Sequence, residues 1–209
     1  MKRTILSLLI LCGFQSIYSQ SLSKTMIAYR DACLKMLEGI NHNFDKYILW
    51  DAIDLYNKVK ITEFSDVDYI SVDTTMVHNE ISPNILFIPE YADSLIKCGE
   101  LVDIDNISIL RKGEDYDVQI LHKGLKAMKS IAYKSVGQDD CEMMVLGETG
   151  SIVKLTITDV GSGIVYEGIQ ENNGMSSYVI WHLPSNGSEF IFKIDNLSEK
   201  DISIVIAVN

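Results

Sequence analysis

The stretch Ile152-Val-Lys-Leu-Thr-Ile-Thr158 shows most clearly what fold this chain adopts. From Val153 onward its apolar and polar residues alternate, which is the period of a β-strand with one buried face. Similar short stretches follow one another from about residue 106 to the C-terminus, separated by turns rich in Gly, Asn and Pro at spacings of roughly 8–12 residues. They begin near Ile107, Met128, Met143, Ile164, Tyr178, Phe190 and Ile202. Such a series is typical of an antiparallel β-sandwich or barrel.

The residues from about 22 to 60 have a different hydrophobic period. Apolar residues recur there at intervals of three and four, which predicts two amphipathic helices. Ser23 or Thr25 is suited to cap the first helix, because a hydroxyl oxygen can accept a hydrogen bond from an unpaired backbone N–H. The link Asn41-His-Asn43 is short, so the two helices are expected to pack antiparallel.

Residues 61–104 are harder to assign. Ile70 to Val77 could form a strand, and Pro89 is suited to begin a helix whose early residues are acidic and late residues basic. We therefore predict an α+β chain, in which a mainly helical region over residues 20–105 precedes an antiparallel β-sandwich over residues 106–209.

The first 19 residues have the composition of a cleavable secretory signal. Lys2 and Arg3 form a short basic segment, and the apolar stretch Ile5–Phe14 follows. Cleavage is expected before Gln20. This apolar stretch is about half the roughly 20 residues that a membrane-spanning helix needs. The sequence thus predicts an exported protein, periplasmic or secreted, without a membrane span.

Cys12 offers an alternative, which is acylation as a lipoprotein. A lipobox usually has a small residue before the cysteine, whereas Leu11 stands there. Cleavage at Cys12 would also leave too short an apolar stretch in the signal. The sequence favours the cleaved, lipid-free form.

The chain is acidic, with 29 Asp and Glu residues against 18 Lys and Arg residues and a net charge of −11. This charge argues against binding to nucleic acid or to anionic membranes, since both repel an acidic surface. It is compatible with a basic partner, although a solvated surface that keeps the protein soluble explains it more simply.

The β-rich half resembles the secreted pre-peptidase C-terminal domains, which are jelly-roll sandwiches. The resemblance rests on an aliphatic strand ending in Asp159, on Trp181-His-Leu-Pro184, and on Phe190-Ile-Phe-Lys-Ile-Asp-Asn196 with a closing aliphatic strand. It covers about 70 residues. It implies a domain that accompanies secreted enzymes, some of which bind calcium or extracellular polymers, but no calcium ligand matches residue by residue and no cofactor is assigned.

A second resemblance concerns Phe44–Tyr56, which looks like one helix of a tetratricopeptide hairpin. A solenoid of such hairpins needs about three repeats to bury its core, and no second repeat follows at the required period. The resemblance therefore implies a helical hairpin alone.

Motifs that carry chemistry do not occur in complete form. Gly147-Glu-Thr-Gly150 is followed by a lysine at the wrong spacing for a phosphate-binding loop, so it is interpreted as a hairpin turn. Gly174-Met-Ser-Ser-Tyr178 lacks the last glycine of a serine-hydrolase elbow. Acidic doublets such as Asp66/Asp68 are interpreted as a solvated face, although a carboxylate pair could serve a hydrolase.

Three cysteines follow the signal. Cys141 could act as a nucleophile if His122 or His182 lay beside it, but burial or a disulfide is the simpler interpretation. Cys33 lies on the apolar stripe of the first helix and is expected to be buried. If one disulfide forms within the chain, Cys98 and Cys141 are the predicted pair, because both lie at the ends of predicted elements.

Aromatic residues on the predicted strands are the candidate binding residues. Alternation places Trp181 on the core-facing side of its strand, and Tyr178 and His182 on the other side. Tyr166, Tyr178 and His182 are therefore the predicted binding residues. The function hypothesis is an exported, non-catalytic binding protein that contacts a protein or a glycan through the sandwich or its junction with the helices. The alternatives are a hydrolase using a carboxylate pair or Cys141, and an accessory or inhibitor protein of a co-exported enzyme.

Overall fold

The computed structural model describes residues 22–63, 70–71, 80–99, 117–136, 142–172, 176–182 and 189–209. These residues form three α-helices and two β-sheets, which confirms the α+β class. Within the described ranges all helical residues lie at or before Gly99, as the change in hydrophobic period predicted. None of the helices described is long and apolar enough to cross a membrane.

The first two helices form the predicted antiparallel hairpin. Helix α1 spans Lys24–Asn41 and helix α2 spans Lys46–Tyr56. Of the two predicted caps, Ser23 is the one used, since its hydroxyl accepts a hydrogen bond from the Met26 N–H at 3.1 Å. Asp45 caps α2 by accepting from the backbone N–H groups of the second and third helical residues.

Helix α3 spans Pro89–Gly99 and packs against α2. Its start at Pro89 confirms the prediction, because proline needs no N–H partner in the first turn of a helix. Glu90 near its N-terminus and Lys97 in its last turn both have the charge that the helix dipole favours.

Twelve strands belong to the described residues, and they divide between two sheets. The large sheet has the order β1-β4-β12-β6-β10-β9, with β3 also paired to β4, and the small sheet has the order β2-β5-β11-β7-β8. These strand pairs are antiparallel except for the parallel pair β1 and β4. The strands are β1 Lys60–Glu63, β2 Ile70–Ser71, β3 Glu80–Ile81, β4 Asp117–Leu125, β5 Ser130–Val136, β6 Glu142–Thr149, β7 Val153–Asp159, β8 Val165–Glu167, β9 Ile169–Asn172, β10 Ser176–His182, β11 Glu189–Asn196 and β12 Ile202–Val208.

The large sheet is the middle layer of three. Strand β6 shows this directly, since its residues are buried on both faces. Met144 and Leu146 contribute to the core under the helices, whereas Met143 and Val145 contribute to the core between the sheets. The helices therefore cover one face of the large sheet and the small sheet covers the other.

The segment Gly147–Gly150 does not form the predicted hairpin. A turn is present, but β6 lies in the large sheet and β7 in the small sheet, so the turn carries the chain from one sheet to the other. The physical reason is that β12 and β10 already pair with both edges of β6. No edge of β6 is left for β7.

Candidate functional site

The three predicted binding residues lie in two different sheets. Tyr166 is half-buried on β8 of the small sheet and packs against the core between the sheets. Tyr178 and His182 lie on β10 of the large sheet, where their positions pair with Leu146 and Glu142. The side chains at 178 and 182 lie outside the described part of the structure. The structure thus divides these positions between the two sheets, and their role in binding stays a prediction.

Two of the three cysteines after the signal are described. Cys33 is fully buried, as predicted, and Cys98 is exposed with a free thiol. Cys141 lies outside the described residues. The pairing of Cys98 with Cys141 accordingly stays a prediction.

The buried thiol of Cys33 belongs to a cluster under the helices. The Tyr56 hydroxyl donates a hydrogen bond to Cys33 Sγ at 3.4 Å, and the Tyr29 hydroxyl donates to the carbonyl of Phe87 at 3.0 Å. Burial raises the pKa of the Cys33 thiol to about 12. Because the thiolate is the nucleophilic form, this environment makes Cys33 a packing residue rather than a reactive one.

His122 on β4 is held by two neighbours. Its Nε2 accepts a hydrogen bond from the Phe87 N–H at 2.8 Å, and its Nδ1 lies 3.3 Å from the carboxylate of Glu63. Burial lowers the pKa of His122 to about 4. Glu63 favours the charged imidazolium, but its side chain is 59% exposed, so water screens the attraction and burial dominates. At neutral pH His122 is thus an uncharged acceptor that fixes the segment before α3.

One end of the sandwich combines four connections into a single surface, which we name the loop end. It consists of residues 42–45, 126–129, 150–152 and 197–201. The Asn41 side chain donates to Thr149 Oγ1 at 3.0 Å, which docks the turn between α1 and α2 onto the β6–β7 turn. The Leu197 N–H donates to the Ile152 carbonyl at 2.8 Å.

Backbone strain is concentrated at the loop end. Asn43, Phe44 and Met128 have φ values of 57°, 61° and 57°, and they are the non-glycine residues with positive φ in the described part of the chain. A side chain other than glycine in this left-handed conformation costs about 1–2 kcal/mol. Asparagine tolerates it best, because its short polar side chain can hydrogen-bond to the nearby backbone, which the apolar side chains of Phe44 and Met128 cannot do. Strain of this kind persists only where the surroundings enforce it.

Asn196 is the residue that ties the loops together. Its buried side-chain amide lies within 3.3 Å of the carbonyl oxygens of Leu125, Lys126 and Lys200, to which it donates. Its Oδ1 accepts from the Ser198 N–H at 2.8 Å. The Met128 N–H in turn donates to the Ser198 carbonyl at 3.2 Å. The Asn196 side chain therefore joins two of the four connections, 126–129 and 197–201, and the Leu197–Ile152 hydrogen bond adds a third.

The loop end presents large apolar side chains to solvent. Met128 is 65% exposed, and Phe44, Ile152 and Leu197 are also exposed. The same connections also carry exposed lysines at 126, 129 and 200, and Lys200 pairs with Glu148 at 3.1 Å. An apolar centre with a polar rim is the usual composition of a protein–protein contact surface.

Sequence reasoning missed this surface for a specific reason. It assigned Met128 and Ile152 to the beginnings of strands, where apolar residues need no explanation. The structure begins β5 at Ser130 and β7 at Val153, which leaves both residues in loops. The sequence did contain one signal of exposure: Ile152 directly follows the turn-forming pair Gly150-Ser151, and Leu197 directly follows Asn196.

Within the described ranges, no group of three or more His, Cys, Asp and Glu side chains is arranged to hold a metal ion. The buried polar groups described above are engaged in fold-stabilising contacts. The loop end is therefore the candidate site that the described residues support best, as a contact surface.

Comparisons with known proteins give partial matches in structure alone. No protein-family model matches the chain, and no curated protein matches its sequence. A periplasmic inhibitor of g-type lysozyme from Aeromonas hydrophila has a TM-score of 0.32 and 13% identity over 44% of this chain and 84% of its own. A mitogen from Yersinia pseudotuberculosis matches with the same four values.

A carbohydrate-binding module of family 29 matches with a TM-score of 0.30 and 10% identity over 42% of this chain and 69% of its own. TM-scores of this size do not establish a common fold. Neither the pre-peptidase resemblance nor the tetratricopeptide resemblance is confirmed by these comparisons.

Proposed function

We propose that this chain is an exported, non-catalytic binding protein whose loop end holds a protein partner. The observation that carries the proposal is Met128, which is strained, hydrogen-bonded into the neighbouring loop and turned toward solvent. Glycine would satisfy the same backbone at lower cost. A methionine there is explained if its side chain is used in contact.

The composition of the surface supports a protein rather than a sugar as partner. Methionine and aromatic side chains are enriched in the buried centres of protein interfaces. Sugar sites rely instead on open aromatic faces with converging polar groups, and the loop end supplies one aromatic residue, Phe44, among aliphatic ones. The hydrogen bonds around Asn196 hold the surface in place before binding, which reduces the entropy cost of association.

A non-catalytic role is supported by two described groups whose pKa values are shifted toward unreactive forms. Cys33 is kept as a thiol and His122 as a neutral acceptor that is already bonded to Phe87. A nucleophile or general base needs the opposite tuning.

A glycan partner remains the second version of the same function, and it would use Tyr166, Tyr178 and His182. Tyr166 belongs to the small sheet and the other two to the large sheet. Single alanine substitutions at these positions are expected to weaken the binding of a glycan and to leave the binding of a protein partner at the loop end unchanged.

Export itself is proposed from residues 1–19. The purified exported protein is expected to begin at Gln20, and its intact mass measures this directly. A mass that retains the first 19 residues, or that includes lipid on Cys12, contradicts the proposal.

The binding experiment compares three forms of the immobilised exported protein. These are the natural chain, the double variant Met128→Ser/Leu197→Ser, and the control Val160→Ser/Val165→Ser, which removes two similarly exposed apolar residues at the other end of β7. Exported proteins from the same source are captured and quantified by mass spectrometry. A true partner should be retained by the natural chain and the control, and reduced about tenfold or more by the loop-end variant. Identical capture by all three forms would rule out the loop end as the binding surface.

A further inference from the structure

The outward face of α2 is a second exposed surface, and its residues differ from those of the loop end. Leu49, Ala52 and Tyr56 form the buried stripe of this helix. Because a helix has 3.6 residues per turn, the opposite side carries Tyr47, Trp50, Asp51 and Asp54, all of them exposed. Tyr47 is 66% exposed. A solvent-facing helix side normally carries polar and charged residues alone, so two large aromatic residues there need an explanation.

The two aromatic rings are arranged as one unit. Their centroids lie 5.7 Å apart at an interplanar angle of 84°, so the edge of one ring meets the face of the other. The Lys46 ammonium lies 5.6 Å from the Tyr47 centroid and 5.7 Å from the Trp50 centroid. In this pair the edge of one ring covers one face of the other, which leaves less ring surface for stacking on a sugar. The two rings remain suited to packing against another protein surface.

We infer that the occupant of this face is a second copy of the same chain, bound through an antiparallel pair of α2 helices. The pattern along the helix is self-complementary, with two aromatic residues that carry hydrogen-bond donors followed by two carboxylates. A two-fold axis between positions 50 and 51 places Tyr47 opposite Asp54 and Trp50 opposite Asp51. Each phenol O–H and indole N–H then meets a carboxylate acceptor of the other copy.

Lys46 adds a charge interaction to this complementarity between the two helices. It stands one residue before Tyr47, and the antiparallel arrangement brings its ammonium close to Asp54 of the second copy. The charges therefore attract across the axis even though the full sequence carries a net charge of −11 and loses the basic Lys2 and Arg3 on export. A heterologous basic partner would use the two carboxylates but would gain nothing from Lys46.

The size of the face sets the strength of the association. Eleven residues of helix extend about 16 Å. One such face buries less than the roughly 800 Å² per partner of a standard stable interface. The dimer is therefore weak and reversible. In a concentration series that reaches about 1 mM, we expect it to form toward the highest concentrations.

Sedimentation velocity of the exported protein tests this inference. The natural chain should shift from the monomer mass to twice that mass as concentration rises. Tyr47→Ser/Trp50→Ser should stay monomeric, and Val160→Ser/Val165→Ser should dimerise like the natural chain. Far-ultraviolet circular dichroism confirms that each variant is folded.

A charge exchange provides the second, independent variant. Asp54→Lys places like charges opposite each other and should weaken the dimer at least about fivefold. Lys46→Asp combined with Asp54→Lys should restore it. A natural chain that stays monomeric throughout, or a dimer that survives Tyr47→Ser/Trp50→Ser, overturns the inference. Neither result affects the loop-end experiment, because that experiment changes different residues.

Discussion

Leu49 on α2 occupies the space into which a side chain on Gly39 of α1 would project. A β-carbon added to Gly39 would lie 2.8 Å from Leu49 Cδ2 and 2.9 Å from its Cγ. The absence of a side chain at position 39 thus lets the two helices approach closely. Because Leu49 faces α1 at this point, the orientation of α2 about its own axis is fixed. Tyr47 and Trp50, on the opposite side of the helix, therefore face solvent.

The first prediction follows from this contact. Gly39→Ala should lower the free energy of unfolding by about 1 kcal/mol, since overpacking costs about 1–3 kcal/mol and the better helix propensity of alanine returns part of it. Leu49→Ala alone should cost about 2–5 kcal/mol. Urea denaturation measures each change. The double variant should be more stable than the sum of the two losses implies, because the methyl group introduced on Gly39 enters the space vacated by the Leu49 side chain; strict additivity would contradict the contact.

The second prediction concerns the loss of folding stability at acidic pH. The pKa of His122 is lowered from its ordinary value of 6.5 to about 4, so the folded state favours the neutral ring. The stability contributed by this group is complete above pH 6.5 and is lost as the pH falls toward 4, because the unfolded chain takes up the proton first. The loss amounts to roughly 3 kcal/mol.

Denaturant unfolding at a series of pH values checks this effect. The variant His122→Asn cannot be protonated in that range and should show a flatter stability profile between pH 6.5 and 4. Glu63→Gln should change the profile little, because the carboxylate is mostly exposed. A natural protein whose stability is constant across this interval would contradict the buried, neutral state of His122.

The third prediction concerns Asn196. Asn196→Asp replaces the donating amide by a carboxylate that faces three carbonyl oxygens, so the free energy of unfolding should fall by roughly 2–4 kcal/mol. Asn43→Asp is the matched control, since that side chain is exposed and aspartate tolerates positive φ. Hydrogen exchange at the Met128 and Leu197 amides should accelerate in the Asn196 variant only.

The fourth prediction separates stability from function at Met128. Met128→Gly relieves the left-handed strain, and part of the gain is offset by the greater freedom of glycine in the unfolded chain. The variant should therefore be more stable by about 0.5 kcal/mol, while capture of the partner falls. A variant that loses stability would show that Met128 is held by packing rather than displayed for contact.

The fifth prediction concerns Cys98 and Cys141, whose pairing was inferred from the sequence. Peptide mapping of the exported protein without reductant should recover a disulfide-linked Cys98–Cys141 peptide. Cys33 should stay reduced, because its thiol is buried and bonded to Tyr56. A disulfide that includes Cys33 would contradict both the pairing and the described core.

The amino-acid pattern by itself determined the fold class and the helices. Periods of three to four and of two are imposed by the backbone, and Ser23 and Pro89 act within a single turn of chain. Burial of Cys33 followed from the same local pattern. These features depend on neighbours only a few residues away, which is why they can be recognised without the rest of the molecule.

The tertiary structure alone decided which strands pair and which side chains are displayed. The turn after β6 became a crossing between sheets because β12, at the far end of the chain, already pairs with β6. Met128 and Ile152 became exposed because Asn196 and Ser198, distant in sequence, bind the loops that carry them. Hydrogen bonds between residues far apart in the chain leave no periodic trace in the sequence, and the candidate binding surface is built from them.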